Sequence, residues 1–191
     1  MHVGIADHLG WAVAVTASAR FEVVDRRRIE LLDPGLPVAP VHHEGGTWPE
    51  HGSKHRADAD LAELVAQVRS SALRMSAESV DRLAAELPAP IESISLRSIR
   101  SDVPTDIAVL RRPPWEARID AIMYRQLLAD IARARGWRVC FYEPKQVLNL
   151  AADRLGGDAG RILDAPRATL GAPWTADHRA ALAAAAAASD F

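Results

Sequence analysis

Three β-like segments follow one another within the first 32 residues, joined by connections too short for anything but hairpins, and this run constrains the fold more than any other feature. Val3 to Asp7 is the first segment. Gly10 to Ser18 is the second, with Trp11, Val13 and Val15 on one face at a period of two. Phe21 to Leu32 is the third, where Val23-Val24 and Ile29-Glu30-Leu31-Leu32 flank Asp25-Arg26-Arg27-Arg28. His8-Leu9-Gly10 and Ala19-Arg20 are the turns. The pattern predicts an antiparallel meander.

Asp33-Pro34-Gly35 ends the meander with turn chemistry. A loop rich in Pro, Gly and His runs on to about His55 and is longer than most connections in compact domains. Asp58 or Asp60 then caps a helix marked by Leu61, Leu64, Val65, Val68, Ala72 and Leu83, expected to break near Ser76 and to end at Pro88. Ile91 to Ile99 reads as a fourth strand, Trp115 to Arg135 as a helix closed by Gly136, and Trp137 to Tyr142 as a fifth strand. Pro144 opens a short helix to about Leu155, residues 156–174 read as loop, and Thr175 or Asp177 caps a last helix. Strand–helix–strand units are right-handed crossovers between parallel strands. The expectation is one α/β domain over residues 1–191, a mixed five-stranded sheet with helices on both faces.

Composition removes several classes of function. The 23 basic residues nearly cancel the 25 acidic ones, leaving a net charge of -2, which excludes the strongly basic footprint of a non-specific nucleic-acid coat. Cys140 stands alone, so no intrachain disulfide and no all-cysteine zinc site can form. The N-terminus has no basic region, and Asp7 interrupts its apolar run, so it does not read as a signal peptide. Val13 to Ala19 and Ala180 to Ala188 are too short to span a bilayer. A cytoplasmic protein with no membrane partner is expected. Gly-rich phosphate loops and a Gly-x-Ser-x-Gly elbow are absent from the sequence.

Three stretches carry a family resemblance. They are Val3-Gly4-Ile5-Ala6-Asp7 with Gly10 opening the next strand, Gly136-Trp137-Arg138-Val139 running into Tyr142-Glu143-Pro144-Lys145-Gln146-Val147, and Ala176-Asp177-His178-Arg179-Ala180-Ala181-Leu182-Ala183. With the element order, they resemble the ribonuclease H-like superfamily, and within it Holliday-junction resolvases of the RuvC type. The resemblance implies a metal-dependent nuclease that hydrolyses nucleic-acid phosphodiester bonds. It implies Mg²⁺ or Mn²⁺ held by carboxylates from the first strand, the fourth strand and the last helix. Such hard cations prefer oxygen ligands, and a pair of them activates water and stabilises the leaving oxygen. Asp7 matches the first acid, Asp177 the last, and His178 is placed to assist as ligand or base. The fourth strand departs from the pattern, because Ser95-Leu96-Arg97 stands where the glutamate belongs. A guanidinium there favours an anion or pairs with Asp7.

Read from the residues alone, Asp7 is either a ligand at a strand end or the acid of a hairpin turn. Asp177 is equally a helix N-cap. His42, His43 and Glu44, with His51 and His55 beyond, form the densest ligand-capable stretch, though their spacing matches no standard zinc signature. One hypothesis is that this loop folds over the sheet end and replaces the missing fourth-strand ligand. Arg97 and Arg100 are the candidate phosphate contacts, and Trp48, Trp115, Trp137 and Trp174 could stack bases. Two other readings stand beside the nuclease. One is a catalytically degenerate binding or assembly module, dimerising through the Trp115–Arg135 helix. The other is a His-loop metalloenzyme acting on a small molecule.

Overall fold

The computed structural model describes residues 1–45, 56–99 and 102–187. Its strands are β1 (His2–Asp7), β2 (Trp11–Ala17), β3 (Val23–Glu30), β4 (Ser93–Arg97) and β5 (Arg138–Tyr142). They lie in the order β3-β2-β1-β4-β5. β1, β2 and β3 pair antiparallel, whereas β4 lies parallel to both β1 and β5. This is the ribonuclease H-like sheet: a meander extended by two parallel crossover strands.

The meander forms because its turns are built for it. His8 N–H donates to Trp11 O, leaving Leu9-Gly10 as the turn, with Gly10 at φ 80° in the left-handed region that a glycine enters without steric cost. The crossover into β4 is α1 (Asp58–Glu86), and α3 (Ile119–Ala134) carries the chain from β4 to β5. α4 (Val147–Leu155), α5 (Ala159–Thr169) and α6 (Ala176–Ala187) follow, and the single turn α2 (Ile107–Leu110) precedes α3.

Period two divides each strand between two cores. Val3, Ile5, Ala12, Ala14, Ile94 and Leu96 face α1 and α3, where they meet Val68, Leu83, Tyr124, Leu127 and Leu128. Ala6, Val13 and Val15 face α6 and its alanines, with Val147 and Leu163 behind them.

Three expectations are corrected. α1 runs unbroken through Ser76: two of its inward serines find partners, Ser71 Oγ donating to Asp33 Oδ2 at 2.7 Å and Ser79 Oγ to Glu30 O at 2.7 Å, while Ser76 Oγ is buried without one. Residues 156–174 are not all loop. Ala159, Leu163 and Pro166 recur at helical spacing and bury one side of α5, which outweighs the nearby glycines. The helix expected from Trp115 starts at Ile119, after a run of turns. Its apolar stripe, including Ile122, Met123, Leu127, Leu128 and Ile131, is buried in the chain's own core.

Candidate functional site

β1 ends where a carboxylate is buried between the two cores. Asp7 is only 2% exposed, pairs across to Ala12 on β2, and lies at the carboxyl end of β1, the end at which open α/β sheets place their ligands. Two guanidiniums clasp its carboxylate. Arg125 Nε, from α3, donates to Oδ2 at 2.7 Å. Arg97 Nε, from the end of β4, lies 3.5 Å from Oδ1. Arg97 shares the strand parity of Ser93 and Ser95, whereas Ile94 and Leu96 face α3. The two arginines therefore reach Asp7 from opposite faces of the sheet. Beyond them is a cleft of about 350 Å³ lined by Arg97, Ser98, Ile99, Arg125, Glu143 and Pro144.

Asp177 comes to the same strand end by another route. It sits in the first turn of α6, where a carboxylate suits the helix dipole, and its Oδ2 is 3.1 Å from His8 Nε2. His8, which follows Asp7 in the chain, stacks on Trp11 with ring centroids 4.0 Å apart and planes 9° from parallel. The Arg28 guanidinium lies 4.1 Å from the Trp11 ring centroid. Position 177 thus meets position 7 only through the intervening histidine.

His178 turns toward the helix start. Its Nδ1 accepts from Thr175 N–H at 3.2 Å and is 2.8 Å from Thr175 Oγ1, and its ring tilts against Trp174. Accepting the amide hydrogen requires an unprotonated Nδ1. Burial, helped by the charge of Arg26, lowers the pKa of this imidazole and keeps it neutral. That nitrogen caps a helix and is not available as a base.

His42, His43 and Glu44 occupy a single wide helical turn, Val41–Gly45. The Val41 and His42 amides donate to the two oxygens of Asp120, at 3.2 and 3.0 Å, and Glu44 Oε2 accepts from Arg56 at 3.1 Å. Burial pushes the Asp120 carboxyl up to about 6 against the pull of those two amides. The turn is thereby tied to the start of α3, about 7.5 Å along the helix axis from Arg125. Arg100, Trp48, His51 and His55 lie outside the described residues.

These placements test the divalent metal implied by the resemblance. Among the described residues no group of three or more His, Cys, Asp or Glu side chains is positioned to hold a metal ion. The first-strand acid faces two cations, and the position that should supply a second acid supplies one of those cations. The residues at this rim do not fit Mg²⁺ or Mn²⁺.

His8 and Arg125 were missed in the sequence, although Arg125 had a signal. It interrupts the apolar stripe of α3 between Ile122 and Leu128, and a charge in a core-facing stripe needs a buried partner.

No family model and no curated protein matches the chain. Among solved structures it is similar to T. thermophilus RuvC in complex with Holliday junction substrate, at 15% identity and a TM-score of 0.47, over 97% of this chain and 89% of that one. The strand order β3-β2-β1-β4-β5, with β4 parallel to β1 and β5, defines the fold. No described helix is long and apolar enough to cross a membrane.

Proposed function

We propose that this ribonuclease H-like chain binds a nucleic-acid phosphate at the carboxyl end of β1 and β4 and does so without a divalent metal. The observation that carries this reading is the clasp of Asp7 by Arg125 and Arg97. A metal ligand must offer its lone pairs to the ion, and here Arg125 donates to one oxygen while the Arg97 guanidinium stands 3.5 Å from the other without a hydrogen bond. Each arginine has five N–H donors, of which Arg125 spends its Nε–H on Asp7, and Arg97 pairs with it through charge alone. The remainder borders the cleft, in a geometry that suits phosphate oxygens. Glu143 is the one acid lining that cleft, and it is exposed.

One observation favours metal-dependent hydrolysis as a second reading: Asp7, His8 and Asp177 converge on one strand end. The two readings separate in one experiment. The full chain is titrated with Mn²⁺ by calorimetry and with a fluorescently labelled single-stranded 12-mer by anisotropy, at several salt concentrations. The expected result is no saturable metal heat and a strand affinity that falls with salt and with Arg97→Ala plus Arg125→Ala. Saturable Mn²⁺ binding that is lost in Asp7→Ala, with cleavage of the strand, overturns the first reading in favour of the second.

A further inference from the structure

Trp11 is sandwiched. His8 lies 4.0 Å from it on one side, and the Arg28 guanidinium lies 4.1 Å from its centroid. Two groups cannot occupy the same face of one ring at that distance, so they take opposite faces and form a three-layer tower. The tower stands on the first residue of β2 and the residue after β1, beside the arginine clasp. Each layer is fixed separately. Arg28 Nε donates to Glu30 Oε1 at 2.6 Å, Trp11 begins a strand, and His8 Nε2 is held by Asp177 at 3.1 Å. The His8 side chain is nevertheless 35% exposed. With Trp11 flat against one face of the imidazole, that exposure belongs to its other face and its free edge.

We propose that the tower is a stacking platform for an unpaired nucleobase, with the outer face of His8 as its top. This deepens the phosphate-binding reading and rests on it, naming single-stranded nucleic acid as the substrate class. A ring whose plane is set in advance by Trp11 and Asp177 loses little freedom when a base settles on it. Stacking needs only a π face, so the site takes any of the bases. Asp7 and His8 are consecutive, so a phosphate at the clasp and a base at the platform lie within the span of one or two nucleotides. The platform does not depend on the charge of the imidazole, which distinguishes it from a proton-transfer role for the His8–Asp177 pair.

The test compares wild-type, His8→Ala and His8→Phe full-length chains, each checked for folding by circular dichroism. Each binds a labelled single-stranded 12-mer and an otherwise identical 12-mer of abasic sites. Wild type is expected to bind the normal strand roughly tenfold more tightly than the abasic one, the scale of one stacked base. His8→Ala loses that preference and leaves abasic binding unchanged. His8→Phe, which keeps a π face but not the bond to Asp177, retains most of it. Equal binding of both strands by wild type overturns the platform while leaving the phosphate reading intact. Binding of neither strand overturns both. Loss of preference in His8→Phe as complete as in His8→Ala also overturns the platform. The two-strand comparison on wild type stands even if a variant fails to fold.

Discussion

The two faces of this sheet solve the same packing problem in opposite ways. Toward α1 and α3 the strands offer Val3, Ile5, Ile94 and Leu96, and the helices answer with Tyr124, Leu127, Leu128 and Ile131. Toward α6, β1 offers Gly4 and Ala6 and the helix answers with Ala181 and Ala183 to Ala186, with the larger Val13, Val15 and Leu182 beside them. Large side chains hold a helix away from a sheet and bury area by volume. Small ones let the backbones approach, so the contact depends on fit. The last helix is therefore set at close range against β1, and that closeness brings Asp177 to His8. The bulky face sets the position of Arg125 and the small-residue face that of Asp177, so each half of the rim depends on a different kind of core.

The largest expected effect comes from breaking the close face. A methyl group at position 4 would sit 1.7 Å from the Ala181 backbone oxygen and 3.0 Å from Ala185 N. No flexible side chain is available to yield there. Gly4→Ala is expected to cost about 3 kcal/mol or more, enough to erase a cooperative urea transition in a domain of ordinary stability. A near wild-type midpoint would mean that α6 slides easily and that the contrast between the faces is overstated.

On the bulky face, removal is the informative change. Leu128 is fully buried among Ile5, Leu96 and Tyr124. Leu128→Ala is expected to cost about 3 kcal/mol through lost contact and a residual cavity, read from the same urea midpoint, while leaving a folded protein. A loss well below 1 kcal/mol would show that this face collapses around holes and packs less tightly than its residues suggest.

How much of this was legible beforehand follows from the same contrast. The meander, the five strands and their crossovers were readable because period two and hairpin-length turns are local signals. Asp7 and Asp177 were readable as acids at element ends. The partners were not, because Arg125 is 118 residues from Asp7 and Asp177 is 169 residues from His8, and nothing local joins them. The continuity of α1 through Ser76 and the helix after Gly156 were hidden for a related reason. A buried serine and a glycine-rich start read as breaks until the surfaces that receive them are known.

The bulky face also holds a carboxylate, which gives it a pH dependence. Asp120 is 5% exposed, and burial raises its carboxyl from an ordinary 3.8 to about 6. Between those values the folded state binds more protons than the unfolded chain, so the contribution of this group to stability falls as pH rises through the window. Above about 6 the full penalty is present. Asp120→Asn removes the titration. The difference in urea stability between variant and wild type is expected to shift by about 2 kcal/mol in favour of the variant on going from pH 4 to pH 7. A pH-independent difference would place Asp120 in a wetter setting than the Val41–Gly45 turn implies.

The smallest effect is the most discriminating, because it concerns the residue at which the faces meet. Asp7 is held from the bulky side by Arg125 at 2.7 Å and from the small-residue side by Arg97 at 3.5 Å. Stripping both cations from a buried carboxylate would be severe, but removing either leaves the other in place, and Arg125 itself is partly exposed, so the single losses shrink. In double-mutant cycles with Asp7→Asn, Arg125→Ala is expected to show a coupling of about 1.5 kcal/mol and Arg97→Ala about 0.5 kcal/mol, the order set by distance and hydrogen-bond geometry. Equal couplings would mean that both faces grip the acid alike. A larger coupling to Arg97 would place the anchor on the β4 side and leave Arg125 as the freer hand for a phosphate. Should neither couple, with Asp7→Asn stabilising the chain instead, the carboxylate is an acid kept against the interest of the fold. Its purpose would then be a cation supplied from outside, which is the outcome that would return the rim to metal chemistry.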